Sequence, residues 1–142
     1  YWTAMNVVLD ANILIAALLG SRGKIAIIAS QNHEFYAPAY TVAEIRKYQQ
    51  HICEKLGCSR EEFEVNLEAL LAFVKIVEER AYVAHMAKAT LAMEKRDSND
   101  TQYIACALFV KADFIWTEDK DFTGQNLIAV KTTEEFIDEG RS

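Results

Sequence analysis

Proline is nearly absent from this chain, with Pro38 alone among 142 residues, and glycine is scarce at five. Collagen-like folds, low-complexity tracts and Pro- or Gly-rich linkers are thereby excluded. Histidine and cysteine number three each and are scattered. His33, His51 and His85 have no His or Cys partner at helical ligand spacing. Cys53, Cys58 and Cys106 form neither an even disulfide set nor a C-x2-C knuckle. A zinc site is not expected, and the thiols suit a reducing cytosol. Long hydrophobic runs are missing as well: residues 13–19 and 104–110 stop at seven, whereas a membrane helix needs about 20. No cationic segment leads into an apolar stretch with a small-residue cleavage site. A cytoplasmic location without a membrane partner is expected. An excess of basic charge is also lacking, since 15 Lys and Arg stand against 21 Asp and Glu for a net −6. No broad basic surface for nucleic acid is implied.

What is present is a large apolar fraction, 51%. A chain of this length buries roughly two-thirds of its unfolded surface, enough for a core without disulfides or metal. One domain over residues 1–142 is expected, with residues 1–4 preceding a native start at Met5. Residues 5–10 read as a short apolar strand covered on both faces and ending in a carboxylate. From Asn12 the spacing turns helical as far as Gly20, a second helix is expected up to Asn32, and residues 34–37 read as a strand before Pro38. Thr41-Val-Ala-Glu44 is a capping box expected to open a helix running to Gly57, and Ser59-Arg-Glu-Glu62 opens another through Leu71. Strands at 74–77, 114–117 and 127–130 and helices at 81–95 and 100–111 follow, and Thr132-Thr-Glu-Glu135 caps a last short helix. Strands alternating with helices predict an α/β fold with a central, mainly parallel sheet.

In such sheets, sites form outside the carboxyl ends of the strands, and this sequence puts acids there. Asp10 follows Val7-Val8-Leu9, Asp119 and Asp121 follow the strand ending at Thr117, and Glu44 and Asp100 fall in first turns of helices. Each has a plainer reading. Glu44 is the reciprocal acid of a capping box, Asp100 is a first-turn acid behind an Asp97 N-cap, and Asp119 and Asp121 are turn acids. Asp10 resists such a reading, because a carboxylate directly after an apolar strand lies near the core. Converging carboxylates repel by about 4 kcal/mol per pair at about 4 Å and an effective dielectric of about 20. A cation must compensate, and oxygen-only ligands select hard ions such as Mg²⁺ or Mn²⁺. One or two such ions would activate water, orient a phosphodiester and stabilise the leaving oxyanion.

These residues, taken together, resemble the PIN domain nucleases, including the toxin components of VapBC-type toxin–antitoxin pairs. The resemblance covers essentially the whole chain. It rests on Val-Val-Leu-Asp10-Ala-Asn12-Ile-Leu, on Thr41-Val-Ala-Glu44, on Asp100-Thr-Gln-Tyr-Ile-Ala-Cys-Ala107 and on Thr117-Glu-Asp119-Lys-Asp121-Phe122, the most specific of the four. It implies a three-layer α/β/α PIN-like fold. It also implies that Asp10, Glu44, Asp100 and Asp119 form a catalytic, metal-binding quartet, that Asp121 is a further acid of the metal site, and that Asn12 and Thr117 position water or substrate.

The function so expected is that of a Mg²⁺- or Mn²⁺-dependent endoribonuclease cleaving phosphodiester bonds by metal-activated water, as a VapC-like toxin. Its partners would be an RNA substrate, an antitoxin protein and a second copy of the chain, since residues 24–30 and 62–73 carry apolar side chains beyond what one core face needs. The negative charge is no obstacle, because the four expected ligands supply four of the net six negative charges. Arg46, Lys47, Lys95 and Arg96 flank Glu44 and Asp100 in sequence and are candidate phosphate contacts, with a solvated helix face as their plainer reading. A phosphatase of the haloacid-dehalogenase type also opens with a strand ending in Asp, but it needs a second aspartate where Asn12 stands. The same residues would suit a PIN nuclease of RNA processing. A non-catalytic PIN-like module that binds RNA or protein would not need all four acids, and their presence speaks against it.

Overall fold

Val7, Val8 and Leu9 have no solvent-exposed surface, so the strand they form must be covered on both faces. They belong to β1 (Asn6–Leu9) of the computed structural model, which describes residues 4–93, 100–119, 122 and 125–141. In chain order β1 is followed by α1 (Ala11–Leu18), α2 (Arg22–Ala29), β2 (Glu34–Pro38), α3 (Ala39–Lys47), α4 (Gln49–Leu56), α5 (Arg60–Leu71) and β3 (Val74–Val77). Then come α6 (Glu79–Tyr82), a 3₁₀ turn over Val83–His85, α7 (Met86–Met93), α8 (Asp100–Val110), β4 (Phe114–Trp116), β5 (Val130–Lys131) and α9 (Thr133–Arg141).

Among the described residues the strands form one five-stranded, all-parallel sheet in the order β3-β2-β1-β4-β5. Alternation along the strands divides the core in two. Val7 and Leu9, Phe35 and Ala37, and Phe114 and Trp116 face one way, packing against Ile13, Leu14, Ile28, Ile45, Phe63 and Phe136 of the flanking helices. Val8 and Ile115 face the other way, onto Tyr82, Met93, Tyr103 and Ile104. The result is the three-layer α/β/α arrangement expected from the sequence. β1 lies at its centre, with β2 on one side and β4 on the other, so the chain reverses its direction of travel across the sheet between β1 and β4. Among the described residues no single helix is long and apolar enough to cross a membrane.

Several element boundaries differ from those read in the sequence, each for a local reason. β2 pairs with β3 as far as Pro38↔Val77, and Pro38, with φ −68° and ψ 151°, is itself the N-cap of α3. The helix therefore starts at Ala39, and Thr41 is a fully buried residue inside it rather than a cap. The expected helix to Gly57 is broken at Tyr48 into α3 and α4. The segment expected as one helix over 81–95 is divided by the 3₁₀ turn, and its end, including Lys95, lies outside the described residues. The strand expected at 127–130 shortens to Val130–Lys131. In the preceding residues the Gln125 side chain takes the place of a ladder: its Oε1 accepts from the N–H groups of Leu127 and Ile128, and its Nε2 donates to the carbonyls of Phe122 and Ile128. The other two capping boxes are present: the Glu62 N–H donates to Ser59 Oγ at 3.1 Å while Glu62 Oε1 accepts from the Ser59 N–H at 3.0 Å, and Thr132 and Glu135 pair in the same way.

Candidate active site

The reversal between β1 and β4 opens a crevice at their carboxyl ends, where parallel α/β sheets place their ligands. Asp10 stands at its floor. Its N–H continues the ladder to the Trp116 carbonyl at 3.1 Å, and its extended backbone makes it the N-cap residue of α1. The side chain does not cap that helix. Instead Asp10 Oδ2 accepts a hydrogen bond from Thr117 Oγ1 at 2.6 Å and another from Asn12 Nδ2 at 2.9 Å. Asn12 Nδ2 also donates to Thr117 Oγ1 at 3.2 Å, and so does the Asp119 N–H at 2.9 Å. A hydroxyl has one proton and two lone pairs, and Thr117, 1% exposed, uses all three. It locks the Asp10 carboxylate to the start of the turn that carries Asp119.

Burial is the main influence on the Asp10 carboxyl, which is only 7% exposed. It raises the group from the ordinary 3.8 to about 6; the Thr117 and Ala11 hydrogen bonds oppose the rise, and the negative charges of Glu44 and Asp119 add to it. Carboxylates from α3 and from the turn after β4 thus both bear on the one at the end of β1. Glu44 is held from a third direction. Tyr103 of α8 donates its hydroxyl proton to Glu44 Oε1 at 2.7 Å and accepts from the Ala11 N–H at 3.3 Å. Desolvation first, and then the Asp10 charge, push the phenol far above its ordinary range, so Tyr103 stays a donor. Its ring is pinned edge-on between Tyr40 and Phe122.

Tyr103 is not singled out by the sequence. The signal available was a lone hydroxyl beside the small apolar run 104–107, three residues after Asp100, in a helix too buried to leave that oxygen in water. Asp100 heads α8, one turn before Tyr103. Asp121, Asp97, Lys95 and Arg96 lie outside the described residues. Arg46 and Lys47 end α3. Two residues on from Glu44, Arg46 points away from the crevice and forms an ion pair with Glu64. With Lys47 it lines a cavity of about 660 Å³ between α3, α4 and the start of α5. Glu118 also turns away, accepting from the backbone and hydroxyl of Thr133 at the start of α9.

The donor set suits a hard cation. It offers only oxygens, its central carboxylate is raised partly by neighbouring negative charge, and Asn12 Oδ1 is a buried acceptor without a hydrogen-bond partner. Among the described residues no three His, Cys, Asp or Glu side chains form a ready-made cage.

A parallel α/β protein with acids gathered at its switch point is thus defined by fold and crevice together. A family model described as PIN domain matches residues 8–139, and the chain belongs to that family of nucleases. Its fold is similar to that of VapBC2 from Rickettsia felis, solved bound to a DNA fragment from its promoter, with a TM-score of 0.71, 16% identity, and coverage of 90% of this chain and 98% of that one. It is also similar to FitAcB from Neisseria gonorrhoeae, at 0.70, 20% identity, 90% and 98%, and to VapBC-1 from nontypeable Haemophilus influenzae, at 0.69, 22% identity, 92% and 99%. At these identities the likeness is one of fold. No curated protein matches the chain.

Proposed function

We propose that the protein is an endoribonuclease dependent on Mg²⁺ or Mn²⁺ and acts as a VapC-like toxin, a homodimer restrained by an antitoxin. The observation that carries this reading is the Asp10 carboxylate, buried where β1 meets β4 with Glu44 and Asp119 bearing on it. In this reading Asp10, Glu44, Asp100 and Asp119 are the ligand acids, with Asp121 beside them. A divalent ion, when bound, supplies the positive charge that favours an attacking water and a leaving oxyanion.

The protein's own groups do the rest. Thr117 and Asn12 fix the plane of the Asp10 carboxylate, so its oxygens are aimed before substrate arrives. Tyr103 holds Glu44 from behind and, remaining protonated, takes no proton from the reaction. The Asn12 Oδ1 acceptor gives a water proton a place to point. Lys47, farther along α3 and outside the crevice, would meet a phosphate there, whereas Arg46 is paired with Glu64. The toxin and antitoxin roles are supported by family membership together with neighbours solved as VapBC assemblies.

The test is cleavage of generic single-stranded RNA by the purified chain, in Mg²⁺ or Mn²⁺ and again with a chelator. Cleavage is expected only with the metal. An equal rate in the chelator would remove the metal-dependent reading, and a mass near that of one chain by light scattering would remove the homodimer.

A further inference from the structure

The three cysteines divide into one and two. Cys106 is buried inside α8, whereas Cys53 and Cys58 are both half-buried and meet where α4 ends. Their meeting follows from how that helix stops. Gly57 adopts the left-handed conformation, φ 64°, and the Cys58 N–H donates back to the Cys53 carbonyl at 3.1 Å. This is the six-to-one bond of a Schellman ending, which lays the residue after the glycine against the fourth-last residue of the helix. In this chain both of those residues are cysteine. With that bond made, standard backbone dimensions cap the Cα separation at about 7 Å, close to the span of about 4.4–6.8 Å that a disulfide bridges. The Cys53 thiol has its hydrogen-bonding partners in the same turn, Cys58 and, at 3.7 Å, the Ser59 carbonyl.

Both thiols line the cavity of about 660 Å³ that opens beside α4. Arg46 on that lining is engaged by Glu64, while Lys47 and Arg60 supply positive charge against the acid Glu54. A small anionic reagent is favoured there.

We propose that Cys53 and Cys58 are a redox-active dithiol, which a low-molecular-weight anionic disulfide of the glutathione class closes to an intramolecular disulfide across the end of α4. Cys58 loses its proton to solvent and attacks one sulfur of the reagent, whose other sulfur leaves as a thiolate. Cys53 then gives up its proton and attacks the Cys58 sulfur, expelling the second half of the reagent. Two protein thiols are oxidised by two electrons, the reagent is reduced to two thiols, and the two protons end on them. The balance is the same with the two thiols exchanged. The proposal is independent of the nuclease reading.

The test equilibrates the reduced full chain with mixtures of reduced and oxidised glutathione, quenches with acid, alkylates the remaining thiols under denaturing conditions and reads intact mass and peptides. The expected product has lost two hydrogens and has two of its three thiols protected, with Cys106 still alkylated. Cys53→Ser and Cys58→Ser are each expected to abolish that loss and to retain a glutathione adduct on the surviving thiol. Three alkylated thiols in fully oxidised buffer would overturn the proposal. A stable adduct without closure, a bridge to Cys106 or a bridge between two chains would do the same. The peptide map of the unsubstituted chain decides the matter by itself should either variant fail to fold.

Discussion

Asp10 holds its proton more tightly in the folded chain than in the unfolded one, because its carboxyl is raised from 3.8 to about 6. Its contribution to folding is therefore complete below about pH 4 and is lost as pH rises through 6. At pH 7 the buried carboxylate costs on the order of 3 kcal/mol. Asp10→Asn keeps an oxygen to accept from Thr117 and Asn12 and removes the charge. In the metal-free protein it is expected to be more stable than the parent by roughly 1–3 kcal/mol at pH 7, with the gap closing towards pH 4, as read by urea unfolding across that range. A gap that stays constant with pH would show that Asp10 is not the titrating group. The same variant is expected to lose RNA cleavage. Tyr103 supports the site from behind. Tyr103→Phe keeps the ring against Tyr40 and Phe122 and deletes only the oxygen that serves Glu44 and the Ala11 N–H. A loss of about 1–3 kcal/mol is expected from the unpaired buried groups. A fall of about 10–100-fold in cleavage or metal affinity is expected from a freed Glu44. Cleavage at the parental rate would reduce Tyr103 to a packing residue. Asp10 was legible from its position after a buried strand, whereas Tyr103 was not, since its partner Glu44 lies 59 residues away and no local pattern links them.

Three segments of the chain carry the same Ser/Thr-x-x-Glu pattern, and only two of them cap a helix. Ser59 comes after the glycine that ends α4 and Thr132 directly after the short strand β5, and both take the N-cap geometry. Thr41 follows a strand that stays paired through Pro38, so the helix begins three residues earlier and carries Thr41 into the core. The pattern is local and the outcome was decided by the neighbouring strand β3, which is why the sequence alone places Glu44 in a first turn. The correction removes the plainer account of that residue: Glu44 does not close a capping box, and its carboxylate is directed to Tyr103 and the crevice. Ser59→Ala is expected to cost about 1 kcal/mol in urea unfolding and to leave cleavage unchanged, because the start of α5 bears on none of the crevice acids. An unchanged midpoint would mean that the Ser59–Glu62 pair contributes nothing in solution.

At the scale of the molecule, strand identities were readable from apolar runs, but the order β3-β2-β1-β4-β5 was not, because pairing across the sheet leaves no periodicity in the chain. That order alone brings residue 10 beside residue 117 and makes a crevice of acids that are remote in sequence. A cation bound there acts on the whole fold, since it binds the assembled crevice and not the unfolded chain. Stabilisation by a ligand is set by its concentration relative to Kd, and reaches about 2.7 kcal/mol at 100 times Kd. For a domain near this size each kcal/mol moves Tm by about 2–4 °C. Mg²⁺ at that level is thus expected to raise Tm by roughly 5–10 °C at pH 7.5. At pH 5, one unit below the Asp10 value of about 6, the proton occupies most of the carboxylate and competes about tenfold against the ion, removing about 1.4 kcal/mol of that gain. Asp10→Asn is expected to show little Mg²⁺ shift at either pH. Thermal melts of both proteins over a magnesium titration at the two pH values check this, and a shift equal at pH 5 and pH 7.5, or undiminished in Asp10→Asn, would place the cation away from Asp10.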